Sequence, residues 1–297
     1  MPPGSSTSRG DMALSSAAMP SQTTTLASTC CSRPARPPTL LERALSPIDP
    51  LIILIVLTIV GLPGAIRAQF SRLSPVSWLN PFRWHELILA NGFGYILAQS
   101  NKNWEPVKRP LLASARGRVL EVGAGSGENV VYYDLDRVES LVVLEPFAPL
   151  RTKLEAALDR TGLLSRSTVV PLGLDEERGT LSRHGLAPAS FDTIVLVQVL
   201  CSIPNPKSHL DYLQSLLRPG GEILVFEHVA SKHQPARLIQ QLWTVPWKRL
   251  VGGCEMDRDS ADWLRDVGGW SHVEILRPKD EHRADLMPHA VARFVKA

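Results

Sequence analysis

Arg118-Val119-Leu120-Glu121-Val122-Gly123-Ala124-Gly125-Ser126-Gly127 is an apolar run that ends in an acid and then three alternate glycines. It reads as a strand, Arg118 to Val122, turning into a helix that carries Val130, Val131 and Tyr133. Glycines at such a turn allow backbone angles that a Cβ forbids, and they let a ligand approach main-chain N–H groups. Gly123, Ala124, Gly125 and Gly127 are therefore the candidate binding loop. Glu121, just before the first glycine, bears on the kind of ligand. A carboxylate there repels a pyrophosphate and attracts a cationic group. The loop thus favours S-adenosylmethionine, with its ammonium and sulfonium, over a dinucleotide.

Val138-Glu139-Ser140-Leu141-Val142-Val143-Leu144-Glu145 is the second strand, closed by Pro146, which cannot extend a ladder. Glu145 stands about 20 residues past the glycines, where a ribose diol needs an acceptor. Two separate spacings thus point to one ligand.

Beyond Leu111 strands and helices alternate, which indicates a doubly wound α/β sheet of Rossmann-like type. The expected strands continue near Thr168 to Leu172, Phe191 to Leu200, Glu222 to Val229, Ser271 to Leu276 and Ala290 to Val295, seven in all. Phe191 to Leu200 is nearly continuous in apolar residues, as a strand buried on both faces requires. Helices are expected over Leu150 to Leu158, His209 to Leu217 and Ala261 to Val267, the second stopping at Arg218-Pro219-Gly220-Gly221. Gln198 to Ser202 and His228 fall at carboxyl ends of strands, where such sheets bind ligands.

A net charge of +3, with no basic cluster interleaved with aromatics, argues against a nucleic-acid partner. Cys30, Cys31, Cys201 and Cys254 show no paired ligand spacing, so neither a metal site nor a disulfide framework is expected.

The chain divides into a leader (1–45), a hydrophobic anchor (46–70), an aromatic connecting region or substrate cap (71–110) and the α/β domain (111–297). The leader is rich in Ser, Thr, Pro, Ala and Arg without apolar periodicity, and is expected to be disordered. Leu51 to Ile66 carries no charge. As a helix those 16 residues reach about 24 Å, against roughly 30 Å of bilayer hydrocarbon. A hairpin, a monotopic insertion and a short single pass all remain open. Basic residues on the two flanks, Arg33, Arg36 and Arg43 against Arg67, Arg72 and Arg83, leave orientation undecided. The cytosolic supply of S-adenosylmethionine and the lack of an Asn-x-Ser/Thr sequon favour a domain facing the cytosol.

The set Leu120 to Gly127, Glu145-Pro146, Ser190-Phe191-Asp192, Leu200-Cys201-Ser202 and Leu217 to Gly221 resembles class I S-adenosylmethionine-dependent methyltransferases. Phe226-Glu227-His228-Val229, Trp243, Trp247-Lys248 and Gly252-Gly253-Cys254, behind an apolar anchor, resemble the membrane-anchored methyltransferase-like proteins of endoplasmic reticulum and lipid droplets. Some of that group methylate alkyl thiols. The resemblance implies that Glu121 and the glycine loop hold the methionine portion, that Glu145 and Pro146 meet the ribose, and that Asp175, or Glu176 beside it, lies near the adenine. Leu174 between Gly173 and Asp175 departs from the usual Gly-Asp pair. Gln198 lines the methyl group's surroundings, and His228 is a candidate base. A membrane-tethered enzyme acting on a small lipophilic acceptor follows. Phospholipid or amine N-methylation, an NAD(P)-dependent oxidoreductase and a noncatalytic membrane module are the alternatives.

Overall fold

The structure is a computed structural model that describes residues 31–32, 36–71 and 78–297. The expectation of a disordered leader falls mostly outside these residues, as do Cys30, Arg33 and Arg72.

The sheet is built from β1 (Cys31–Ser32), β2 (Gly117–Val122), β3 (Val138–Leu144), β4 (Ser167–Val170), β5 (Phe191–Val197), β6 (Leu217–His228), β7 (Trp270–Pro278) and β8 (His289–Lys296). Their order is β1-β7-β8-β6-β5-β2-β3-β4. β4, β3, β2, β5 and β6 are parallel, β8 runs antiparallel to β6, and β7 antiparallel to β8. These are the seven strands expected from the sequence. The two-residue β1 adds an eighth on the β7 edge, so pairing reaches into the stretch read as leader. Chain order reverses at β2, flanked by β3 and β5, and ligands bind at such a switch point.

The helices are α1 (Leu40–Leu45), α2 (Asp49–Phe70), α3 (Pro81–Leu112), α4 (Ala148–Arg160), α5 (Arg178–Arg183), α6 (Lys207–Leu216), α7 (Gln234–Leu250) and α8 (Ser260–Val267). One apolar cluster packs Leu111, Leu112, Leu154 and Leu158 on one sheet face, and another packs Leu181, Leu210, Leu213 and Leu264 on the other. Alternate residues of β2 explain the division: Val119 joins the first cluster and Leu120 the second.

Three details differ from the expectations. No helix follows Gly127; a single 3-10 turn, Val130–Tyr132, fills the gap before β3. Asn129 and Tyr133 on either side of it turn inward to bond Glu121. β5 stops at Val197, because Gln198 adopts a φ of 51°. Arg218 to Gly221 does not stand as a breaker ahead of β6 but bulges within it: Phe191 pairs with Leu217 and Thr193 with Glu222.

α2 has 22 residues, about 33 Å of helix, longer than its apolar stretch alone suggested. With α1 it forms the stretch Leu40–Phe70, long and apolar enough to cross a membrane by length and composition. α2 packs antiparallel on α3. An ideal Cβ on Gly61 would come within 2.3 Å of Ile88 O, and one on Gly92 within 2.7 Å of Leu57 O, so glycine permits the close crossing. α3 is capped by Asn80 Oδ1, which accepts from the N–H groups of Phe82 and Arg83. It runs unbroken for 32 residues, from its contact with α2 into the domain core at Val107 and Leu111.

Candidate active site

The structure places the glycine loop and Glu145 against one another. Gly123 N–H and Ala124 N–H donate to Leu144 O, tying the loop to the end of β3. Gly125 N–H donates to Glu145 Oε2 at 2.8 Å, and Phe147 N–H to Oε1 at 2.8 Å. Gly123, Gly125 and Gly127 have φ of 68°, 59° and 84°, the left-handed region that a Cβ strains. At Gly127 a Cβ would also meet Ala157 at 2.8 Å, so this glycine lets α4 close on the loop. Burial pushes the Glu145 carboxyl above its usual range, and the Phe147 and Gly125 N–H groups oppose that shift. Pro146 contributes its carbonyl, which accepts from Arg151.

Glu121 has a different setting from the one expected. It is 1% exposed, and its two oxygens accept from Asn129 Nδ2 and Tyr133 Oη at 2.7 Å each. Burial raises its pKa against those two bonds. In this arrangement Glu121 braces the turn beneath the loop from inside the core. Lys108 approaches the same carboxylate from α3, and burial pushes its pKa down to about 8. Asp175 is exposed after β4, folded over Gly173, and makes no hydrogen bond to Glu145 or the loop. Leu174, which separates it from Gly173, is a core side chain.

Gln198 sits at the carboxyl end of β5 in the left-handed region, which for a residue with a side chain costs roughly 1–2 kcal/mol. Its N–H donates to Phe226 O, and the next two N–H groups, of Val199 and Leu200, donate to Glu227 Oε1. Ser100 Oγ of α3 donates to Gln198 Oε1 at 3.1 Å. Gln198 Nε2 lies 3.3 Å from His289 Nε2, and His289 Nδ1 lies 2.8 Å from Glu281 Oε1. Burial, with the charge of His228, holds His289 down at about 3, so its ring is neutral. A neutral ring with its proton on Nδ1 satisfies both contacts, accepting from Gln198 and donating to Glu281. Trp104 of α3 packs on the same ring, centroids 4.5 Å apart.

α3 therefore covers this end of the sheet. Leu97 Cδ1 stands 3.4 Å from the position of a Gly125 Cβ, Ser100 bonds Gln198, and Trp104 meets His289. Nothing in sequence spacing marks Ser100 or His289, whereas Leu97 closes the aromatic stretch read as a connecting region or substrate cap. Lys108 left a signal, lying among Trp104, Val107 and Leu111 on an apolar helical face.

His228 is buried at the end of β6, Nε2 3.1 Å from Cys254 Sγ, with Nδ1 unpartnered. Cys201, His228 and Cys254 converge, one ligand atom of each within 4.8 Å of the others. Two elements assemble them. Glu255 N–H donates to Cys201 O at 2.9 Å, and buried Arg258 donates from Nη1 to Leu200 O and Ile203 O. The Cys254 hydrogen bond, opposed by burial and helped by His228, holds Cys201 well below the usual thiol range. Burial would lower His228, but Cys201 and Glu227 outweigh it and hold the imidazole up.

A glycine loop and an acid at adjacent strand ends, under a seven-stranded sheet with one antiparallel terminal strand pair, define a class I methyltransferase. The chain belongs to that family: a profile described as a methyltransferase domain matches residues 98–276. It is similar to thiol S-methyltransferase TMT1B of Homo sapiens, 32% identical over 219 residues, 69% of this chain and 86% of the relative. Thiol S-methyltransferase TMT1A of Homo sapiens is 29% identical over 221 residues, 69% of this chain and 84% of that one. An O-methyltransferase family protein from Burkholderia thailandensis shares the fold, with a TM-score of 0.52 at 12% identity over 74% of this chain and 61% of that chain.

Family and fold imply S-adenosylmethionine as methyl donor. The residues present fit it: Ser126 Oγ is buried at the loop without a partner, and the neighbouring Gly125 N–H meets the Glu145 carboxylate. Methyl transfer from a sulfonium is an in-line displacement, so holding donor and acceptor in line supplies much of the rate.

Proposed function

We propose that this chain is a membrane-anchored S-adenosylmethionine-dependent methyltransferase whose acceptor is a small lipophilic thiol. The observation that carries the reading is α3, which packs on apolar α2 at one end and leans over the glycine loop and Gln198 at the other. One helix thus joins the anchor to the site, and an acceptor dissolved in lipid has a short path to the methyl donor. Exposed Leu51, Ile52, Ile55 and Ile59 on α2 support the anchor, as does the stripe Leu238, Leu242 and Val245 on α7. Trp243 of α7 donates to Pro47 O, so the two apolar surfaces adjoin. The acceptor class follows the thiol S-methyltransferase relatives. The proposed setting is the endoplasmic reticulum or lipid-droplet surface, with the domain in the cytosol. Glu145 would meet the ribose, the glycine loop the methionine portion, Asp175 the adenine edge, and Gln198 the surroundings of the methyl group.

The test is detergent-solubilised full-length protein with methyl-labelled S-adenosylmethionine and a panel of lipophilic thiols, amines, phenols and phospholipids. Label should pass to thiols and be lost in Glu145→Ala. Label on amines or phospholipid headgroups, with thiols untouched, would overturn the acceptor assignment.

A further inference from the structure

The Cys201, His228 and Cys254 cluster is not explained by packing alone. All three side chains are buried, at 2%, 6% and 8% exposure, and their ligand atoms lie within 4.8 Å of one another. A tetrahedral zinc with two sulfurs and one nitrogen needs S···S separations of about 3.8 Å and S···N of about 3.5 Å. The observed His228 Nε2 to Cys254 Sγ distance of 3.1 Å requires an outward shift of only a few tenths of an ångström.

Each sulfur has a hydroxyl or N–H donor within reach. Trp247 Nε1–H, which can only donate, points at Cys254 Sγ from 3.2 Å, and Ser202 Oγ lies 3.4 Å from Cys201 Sγ. Donors to ligand sulfur are the outer contacts that tune a thiolate metal site. Two polar atoms beside the cluster, His228 Nδ1 and Glu227 Oε2, are buried with no partner. Such atoms are uncommon in a settled core. The backbone around the sulfurs is held from outside the cluster, by the Arg258 bonds to Leu200 O and Ile203 O and by Glu255 N–H to Cys201 O. A cavity of about 540 Å³ ends against Ser202, Gly253, Glu255 and Arg258, next in sequence to two of the donors.

We propose that Cys201, His228 and Cys254 bind a zinc ion as a three-ligand site, and that its fourth position takes the sulfur of the methyl acceptor. The second half rests on the thiol reading of the function; the first does not. Three protein ligands with one open position is the arrangement of reactive rather than structural zinc. Two thiolates and an imidazole also favour zinc over harder ions. A thiol that coordinates zinc is deprotonated outright. The acceptor's S–H proton would go to water on binding. Its sulfur lone pair then forms the bond to the methyl carbon, as the methyl's bond to the sulfonium breaks with its electron pair staying on the departing sulfur. The neutral thioether product is a poorer ligand than the thiolate and would leave.

The experiment is metal analysis of full-length detergent-solubilised protein, purified without a polyhistidine tag or chelator, followed by replacement with Co(II) and addition of an alkanethiol. About one zinc per chain is expected, falling at least fivefold in Cys201→Ser, Cys254→Ser and His228→Ala. S-adenosylmethionine binding by calorimetry reports whether each variant is folded, and the wild-type metal content depends on no variant. On Co(II) protein the alkanethiol should strengthen the sulfur-to-metal charge-transfer band in the absence of methyl donor. Wild-type protein that binds S-adenosylmethionine yet carries no zinc and takes up none would overturn the site. An unchanged Co(II) band under a thiol that the zinc-loaded enzyme methylates would overturn the fourth-position role. Stoichiometric zinc and a responsive band, with no thiol methylated, would uphold the metal site and sink the proposed acceptor class instead.

Discussion

Removing the Glu145 carboxylate should separate two duties that its position combines. Without ligand, its oxygens accept from Gly125 N–H and Phe147 N–H, each at 2.8 Å, and so brace the glycine loop against the end of β3. With the methyl donor bound, the same oxygens are the acceptors for the ribose hydroxyls in the proposed function. A hydrogen bond to a charged group contributes about 1.5–3 kcal/mol, which corresponds to roughly a 10- to 150-fold change in an equilibrium constant. Gly125 lies at the half-exposed rim of the loop, where water can replace a lost partner, so the stability cost of Glu145→Ala should stay near the low end, about 1–2 kcal/mol. Affinity for S-adenosylmethionine should fall by the full 10- to 150-fold. Glu145→Gln keeps one acceptor oxygen but turns an amide group toward a backbone N–H, so its affinity should lie between wild type and Ala. Calorimetric titration gives the Kd and a denaturant series gives the stability. A Glu145→Ala variant that is destabilised yet binds within twofold of wild type would show that the carboxylate only braces the loop, and would refute the ribose assignment.

Tyr133→Phe removes the donor to Glu121 Oε2 in a fully buried place, so a loss of about 1–3 kcal/mol is expected in a urea unfolding series. An unchanged midpoint would mean that Glu121 does not brace the turn. Gly92→Leu forces a side chain onto Leu57 O, where even a Cβ would stand at 2.7 Å, and should cost about 1–3 kcal/mol by overpacking the α2–α3 crossing. Thermal unfolding in detergent checks it. Burial pushes Glu281 up to about 8 from its ordinary 4.5, against the bond from His289 N–H. The native state therefore holds this proton more tightly than the unfolded chain. The resulting stability is complete below pH 4.5 and is lost as pH rises through 8. Glu281→Gln cannot titrate, so its stability relative to wild type should climb across that window, by at most about 5 kcal/mol, and then level off. A difference that stays flat from pH 4.5 to 8 would contradict the buried, protonated setting of Glu281.

The local pattern of this chain determined its fold class and its glycine turn. Apolar runs ending in Glu121 and Glu145, and glycines at 123, 125 and 127, encode strands and a turn through interactions between near neighbours. Such interactions need no knowledge of the rest of the fold. That logic stops where a residue's partners are set by the fold. Glu121 reads as a contact to the methionine portion, and that its carboxylate accepts from Asn129 and Tyr133 is visible only in the structure. Residues 71–110 read as a connecting region or a substrate cap, and only the packing of Leu97, Ser100 and Trp104 shows which side chains of α3 reach the loop, Gln198 and His289. Cys201 and Cys254 show no ligand spacing along the chain, and His228 is a lone histidine at a strand end. Sheet order places the ends of β5 and β6 side by side, and the Arg258 and Glu255 bonds draw the loop carrying Cys254 onto Cys201. The three come within reach of one another only because those long-range contacts form together, which no local pattern of residues encodes.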